Sequence, residues 1–199
     1  MTRDSISVTR RGVLRQAFGS CATITGFSAL GQEQIISDHG RIIPPRAVPA
    51  IPLLCSNGST QTLTGLTRGK TTAVQLMFAH CTTTCPIQAA IFQQVQKLLP
   101  NSARRAAQLL SISIDPQNDT VQTLREWLHQ FQAGNEWVAA LPQAKDLPAI
   151  QALFGSGQKL LENHTTQVQV LNERSELVWR SIELPSAESV AAVLRGNAG

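Results

Sequence analysis

The sequence lacks several features that would point to particular classes of protein. It has no run of 18 consecutive apolar residues, so it does not predict a conventional membrane-spanning helix. It has no internal repeat and no low-complexity tract. Net charge is also small outside the first segment. Residues 1–31 carry a net charge of +3, whereas the remaining 168 residues hold 13 basic and 12 acidic side chains. The body of the chain is therefore almost neutral and gives little support to nucleic-acid binding.

The first 31 residues are typical of a bacterial export signal. A basic segment that ends in two adjacent arginines precedes a weakly apolar run, and small residues follow that suit cleavage after Gly31. The segment TRRGVLR at 9–15 resembles a twin-arginine signal, with an ordinary secretory leader as the alternative. Either leader predicts a periplasmic protein, in an oxidising compartment where paired cysteines can hold a disulfide. An uncleaved leader would instead anchor the protein at the membrane.

Two further segments follow this leader. Residues 32–50 contain Pro44, Pro45 and Pro49, which resist helix formation and lack backbone donors, so we expect an extended linker or arm. Residues 51–199 are expected to form one domain, because a hydrophobic content of 42% supports a sizeable core.

Apolar periodicity predicts that this domain belongs to the α/β class. The runs TAVQLMF at 72–78 and LLSISI at 109–114 are typical of strands buried on both faces. Further strands are predicted at 51–55, 60–63, 137–141, 166–171 and 177–180, and helices at 86–99, 120–131, 146–154 and 187–194. Strands that alternate with helices imply a largely parallel sheet covered on both faces, to which hairpins add antiparallel strands. This is the thioredoxin-like plan: a central mixed sheet flanked by helices, with an N-terminal β-hairpin.

Cys81 and Cys85 stand between the buried strand at 72–78 and the helix that follows it. Ligands gather at such strand ends in open α/β sheets. In one helical turn, residues four apart lie on one face about 6 Å from each other, which suits either a disulfide or two bonds to one metal ion. The helix N-terminus favours anions, so thiolates are expected to form readily at both cysteines. A structural disulfide or an inert pair is the alternative, because this spacing alone is a weak signal.

Three segments, taken together, resemble the Sco/SenC family. The segments are FAHCTTTCP at 78–86, SISIDPQNDT at 111–120 and NHT at 163–165. They are similar, in the expected order, to the family's Cys-x3-Cys-Pro motif, its S-I-D-P-x-x-D-T stretch and its D-H-S/T histidine segment. The resemblance covers roughly residues 50–197.

This resemblance implies a thioredoxin-like fold and a function in copper transfer. Family members bind one copper ion through two cysteines and a histidine, which correspond to Cys81, Cys85 and His164. They help to assemble the binuclear copper centre of cytochrome c oxidase, so the implied partners are its copper-accepting subunit and thiol–disulfide exchange proteins. Two thiolates and one imidazole also suit Cu(I) or Cu(II), whereas structural zinc normally takes a fourth ligand.

The expected role is thus that of a metallochaperone, with no turnover of a small substrate. Two alternatives stay open: a thiol–disulfide oxidoreductase that uses Cys81 and Cys85 as a redox pair, and a redox or copper sensor without metal delivery. The enzymatic alternative requires the two cysteines alone, whereas copper binding also requires His164.

Two places depart from the family pattern. Only Thr82, Thr83 and Thr84 stand between the cysteines, where an acidic residue is frequent, and Asn163 replaces the usual aspartate before the histidine. By electrostatics alone, the loss of negative charge favours thiolate at both cysteines. The departures leave the physiological partner open.

Two other residues have simpler interpretations. His80 adjoins Cys81 and could influence its thiolate or contact a partner, and a surface or packing role is the alternative. Cys55 alternates with apolar residues in a predicted strand, which favours a small buried hydrophobic side chain over a redox role.

Overall fold

The structure, a computed structural model, describes residues 40–100, 106–155 and 166–196. The predicted leader and His164 lie outside these residues. The strands are β1 Arg41–Ala47, β2 Pro52–Cys55, β3 Thr60–Thr62, β4 Thr71–Met77, β5 Ala107–Ser113, β6 Trp137–Pro142, β7 Gln169–Leu171 and β8 Glu176–Arg180. The helices are α1 Leu63–Thr67, α2 Thr84–Leu98, α3 Val121–Gln130, α4 Leu147–Phe154 and α5 Ala187–Gly196, with a short 3-10 helix, Ala144–Asp146, before α4. None of the described helices is both long and apolar enough to cross a membrane.

Within the described residues, eight strands form one mixed sheet in the order β1-β8-β7-β4-β5-β6-β2-β3. The central strands β4, β5 and β6 run parallel, whereas the pairs at both sides are antiparallel. Strands β2 and β3 pair as the expected N-terminal hairpin. The structure therefore confirms the predicted α/β class and the mixed sheet flanked by helices.

The sheet is covered on both faces, as the unbroken apolar runs predict. Every residue of β4 and β5 is buried. Because side chains alternate along a strand, Ala73 and Met77 contact one core while Val74 and Leu76 contact the other. The first core is completed mainly by helices α2, α3 and α5, and the second by α1 and α4.

Two local elements differ from the sequence prediction. Part of the expected arm, residues 41–47, is extended but forms β1, which pairs with β8 at one edge of the sheet. Pro44 and Pro45 lie where the register shifts, and proline is tolerated in a sheet at such edge positions or irregularities. The strand predicted at 60–63 ends earlier, because the hydroxyl of Thr62 accepts from the backbone N–H of Gly65 at 3.0 Å and caps the short helix α1.

Candidate dithiol site

The two cysteines lie at the edge of the sheet where β4 and β5 both end. Met77 and Ser113, the last residues of these parallel strands, are paired in register. The backbone N–H of Ile114 donates to the carbonyl of Met77 at 2.8 Å, which keeps the two strand ends together. Residues 78–83, which lead into α2, and residues 114–120, which lead into α3, therefore leave the sheet side by side.

Cys85 is in the first turn of α2, whereas Cys81 lies before the helix. The backbone N–H of Cys81 donates to the carbonyl of Phe78 at 3.1 Å, which turns the chain back towards α2. The N-cap residue Thr83 makes no side-chain capping bond. Instead, the Cys81 sulfur accepts from the backbone N–H of Cys85 at 3.4 Å. The sulfur thus satisfies one of the free donors of the helix N-terminus, a position that stabilises negative charge.

The pKa of Cys81 is lowered to about 7. Partial burial raises this pKa, but hydrogen bonds from the thiol and backbone of Cys85 and from Thr83 outweigh that effect. The Thr83 hydroxyl lies 3.7 Å from the Cys81 sulfur. With 7% of its surface exposed, Cys81 is also within reach of solvent. A fraction of Cys81 is therefore thiolate at neutral pH.

The pKa of Cys85 is strongly raised, so the prediction that both thiols ionise readily is wrong for this residue. Its side chain is completely buried, and burial is the largest cause. The pKa is raised further by the hydrogen bond between the two cysteine side chains and by the charges of Cys81 and Asp119. A hydrogen bond with the backbone of Phe78 lowers it, but the net effect is a rise. The two sulfurs are therefore unequal: Cys81 is suited to attack, and Cys85 to act second.

This inequality predicts a pH profile for alkylation. The rate of reaction of Cys81 with iodoacetamide is expected to rise about tenfold per pH unit below pH 7 and to level off about one unit above it, because only the thiolate reacts. Cys85 should stay unmodified over this range. Tryptic digestion after Lys70 and Lys97 yields one peptide with both cysteines, in which tandem mass spectrometry locates the label. A half-maximal rate near pH 8.5, the ordinary value for cysteine, would contradict the assignment.

Asp119 is the site residue that sequence reasoning missed. It does not cap α3, since the capping box of that helix is formed by Thr120 and Thr123. The carboxylate of Asp119 instead accepts the backbone N–H of Ala79, at 3.2 and 3.1 Å from its two oxygens, and the hydroxyl of Ser113 at 2.6 Å. Its place after a buried parallel strand was the available signal, because carboxyl ends of neighbouring parallel strands meet at one edge.

The other predicted residues are not all brought to this site. His80 is 67% exposed, and its Nδ1 lies 3.7 Å from a carboxylate oxygen of Asp119. Cys55 is buried, as expected, and packs in the core on the opposite face of the sheet. Burial raises the pKa of its thiol. His164, the predicted third metal ligand, is outside the described residues, and the described part of the chain contains no complete cluster of three metal-ligating side chains.

Known proteins similar to this chain place it in a family. The model of the SCO1/SenC family matches residues 53–195. A Stutzerimonas stutzeri protein named "Putative copper-binding protein" is 30% identical over 141 residues, which cover 65% of this chain and 67% of that protein.

Two solved structures share the fold. Bradyrhizobium japonicum ScoI with copper bound is 19% identical with a TM-score of 0.63, and the match covers 76% of this chain and 99% of that one. BsSco, named as a member of the Sco family of cytochrome c oxidase assembly proteins, is 17% identical with a TM-score of 0.65, over 79% and 96% of the two chains. The thioredoxin-like fold is therefore confirmed. Because the family match spans most of the sequence, from β2 to α5, the chain belongs to the SCO1/SenC family.

Proposed function

We propose that this protein binds one copper ion through Cys81, Cys85 and His164 in the periplasm and serves the assembly of the binuclear copper centre of cytochrome c oxidase. The observation that carries the proposal is the dithiol at the end of β4, within the part of the chain that matches the family. The names of the similar proteins support it, since one is copper-bound and another belongs to a family of oxidase assembly proteins.

The donor set fits copper as the cargo. Two thiolates and one imidazole are soft ligands that suit Cu(I), whereas structural zinc sites are normally closed by a fourth ligand. The Cys81 sulfur already points at the N-terminus of α2, close to Cys85. Metal binding would displace the proton of the buried Cys85 thiol, because a thiol binds a metal as the thiolate. Uptake of copper should therefore release protons.

A second function is favoured by the unequal sulfurs, namely reduction of a disulfide in the acceptor protein. The Cys81 thiolate would attack one acceptor sulfur, form a mixed disulfide and release the other acceptor sulfur as a thiolate. Cys85 would then pass its proton to the released acceptor thiolate and attack the Cys81 sulfur, and the second acceptor sulfur would leave as a thiolate that takes a proton from water. The acceptor ends as a dithiol and this protein as a Cys81–Cys85 disulfide. The two functions are compatible, since an acceptor must hold reduced cysteines before it can take copper.

The test is an anaerobic titration of the reduced full-length protein with Cu(I). We expect one equivalent to bind, with proton release that can be followed in weakly buffered solution. A variant in which Cys21 and Cys55 are replaced by alanine is the matched control, because it keeps Cys81 and Cys85 and should bind equally well. Failure of the wild-type protein to bind Cu(I), or binding that disappears in the control variant, would contradict the proposal.

A further inference from the structure

The carboxylate of Asp119 lies buried beneath the loop that carries Cys81. Its side chain is fully buried. A buried carboxylate is costly unless its oxygens are hydrogen-bonded, so the groups that donate to it are held firmly. Here the donors are the backbone N–H of Ala79 and the hydroxyl of Ser113.

These two donors come from different parts of the fold. Ala79 follows β4, Ser113 ends β5, and Asp119 itself directly precedes the cap residue of α3. The Ser113 hydroxyl also accepts the backbone N–H of Asp115 at 3.1 Å, and the backbone N–H of Asp119 donates to the carbonyl of Asp115 at 2.9 Å. One carboxylate therefore joins three elements at the edge where the dithiol lies.

The connection from Asp119 to the Cys81 sulfur is short. Ala79 is two residues before Cys81, and the turn between them is closed by the hydrogen bond from Cys81 to Phe78. The position of that turn decides whether the Cys81 sulfur reaches the backbone N–H of Cys85, which lies 3.4 Å away. Displacement of Ala79 would move the sulfur relative to α2.

We propose that Asp119 is a positioning residue of the dithiol: its buried carboxylate holds the turn at residues 78–81 so that the Cys81 and Cys85 sulfurs stay in reach of each other. This inference deepens the proposed function and rests on Cys81 and Cys85 being its working pair.

The inference is tested by the closure of the Cys81–Cys85 disulfide in a glutathione redox buffer. Closure converts one glutathione disulfide into two glutathione thiols, so its equilibrium constant measures how well the two sulfurs are placed. Asp119→Ala is expected to lower this constant about 10–100-fold, the scale of a misplacement near 1 Å. Asp119→Asn keeps an oxygen for the Ala79 N–H and can donate to the Ser113 hydroxyl, so it should recover most of the loss.

Matched controls separate positioning from loss of the fold. Asp115→Asn changes another acidic residue of the same loop. Among the described hydrogen bonds, the Asp115 carboxylate accepts only from the side chain of Asn118. This variant should therefore form the Cys81–Cys85 disulfide with the wild-type equilibrium constant. Circular dichroism and thermal unfolding establish that each variant is folded. If Asp119→Ala does not fold, Ser113→Ala takes its place, with an expected loss of a few-fold because one of the two donors is removed.

Several outcomes would overturn the inference. One is a folded Asp119→Ala variant whose disulfide closes with the wild-type equilibrium constant. Another is an equal fall of this constant in Asp119→Asn and Asp119→Ala. If Asp119→Ala is unfolded, a wild-type constant in Ser113→Ala would overturn the inference. The Cu(I) titration keeps this result apart from the proposed function. If the wild-type protein binds no copper, the copper proposal is rejected, while the equilibrium constants for disulfide closure still test the role of Asp119. If the wild-type protein binds copper and disulfide closure is unchanged in Asp119→Ala, only the positioning role is rejected.

Discussion

Replacement of Cys81 by serine is expected to abolish thiol–disulfide exchange. With a small aromatic disulfide as the partner, the rate at pH 7 should fall at least about 10³-fold, the scale on which an active site loses its nucleophile. The reason is that Cys81 supplies the thiolate, with a pKa of about 7, whereas Cys85 is buried and its pKa is raised. Serine keeps the size of the side chain but does not ionise in this range. Stopped-flow absorbance of the released thiol gives the rate.

Cys85→Ser is the informative counterpart. Cys81 can still attack in this variant, but the mixed disulfide cannot be resolved from within the chain, so a covalent adduct should accumulate. Intact-mass spectrometry distinguishes the two variants, since only Cys85→Ser gains the mass of the partner. Exchange at the wild-type rate in Cys81→Ser, or adduct formation at Cys85 in that variant, would show that the roles of the two sulfurs are reversed.

Replacement of His164 by alanine is expected to separate copper binding from thiol exchange. Loss of a group that hydrogen-bonds to a metal ligand costs 10–100-fold in affinity, so loss of His164, one of the three proposed ligands, should weaken Cu(I) binding by at least about 100-fold. Exchange with a small disulfide should change less than about threefold, because the proposed reaction uses only Cys81 and Cys85. A competition titration against a Cu(I) chelator gives the affinity.

His129→Ala is the matched control for this experiment. His129 is an exposed residue in the last turn of α3, and it has no place in the proposed site. It should bind Cu(I) like the wild type. Unchanged copper affinity in His164→Ala would exclude His164 as a ligand. Loss of both copper binding and exchange would instead indicate that the substitution damages the dithiol.

The central strands of the sheet were predicted from the sequence, whereas the edge strand β1 was not. The buried strands β4 and β5 were predictable, because a continuous apolar run is a local signal of burial on both faces. The edge strand β1 was not, since Pro44 and Pro45 indicate an extended chain but do not say what pairs with it. Its partner, β8, lies about 130 residues further along the chain, a distance that local propensity does not reach.

At the site, the location of the two cysteines was predictable from the sequence, but the ionisation of their thiols was not. The sequence predicted that Cys81 and Cys85 lie at the junction of a strand and a helix, because that follows from spacing and periodicity alone. It also predicted thiolates at both, which is wrong for Cys85. The helix N-terminus acts on both sulfurs, but complete burial penalises the charge on one of them, and burial is a property of the whole fold.

The sequence by itself thus determined the buried central strands, the family resemblance and the cysteine pair. Only the tertiary structure decided which sulfur is reactive, and only it placed Asp119 beneath the loop of Cys81. The physical reason is that the pKa of a thiol and the partners of a buried carboxylate depend on groups far apart in the chain. Here Ala79 and Asp119 are 40 residues apart and meet only because β4 and β5 end side by side.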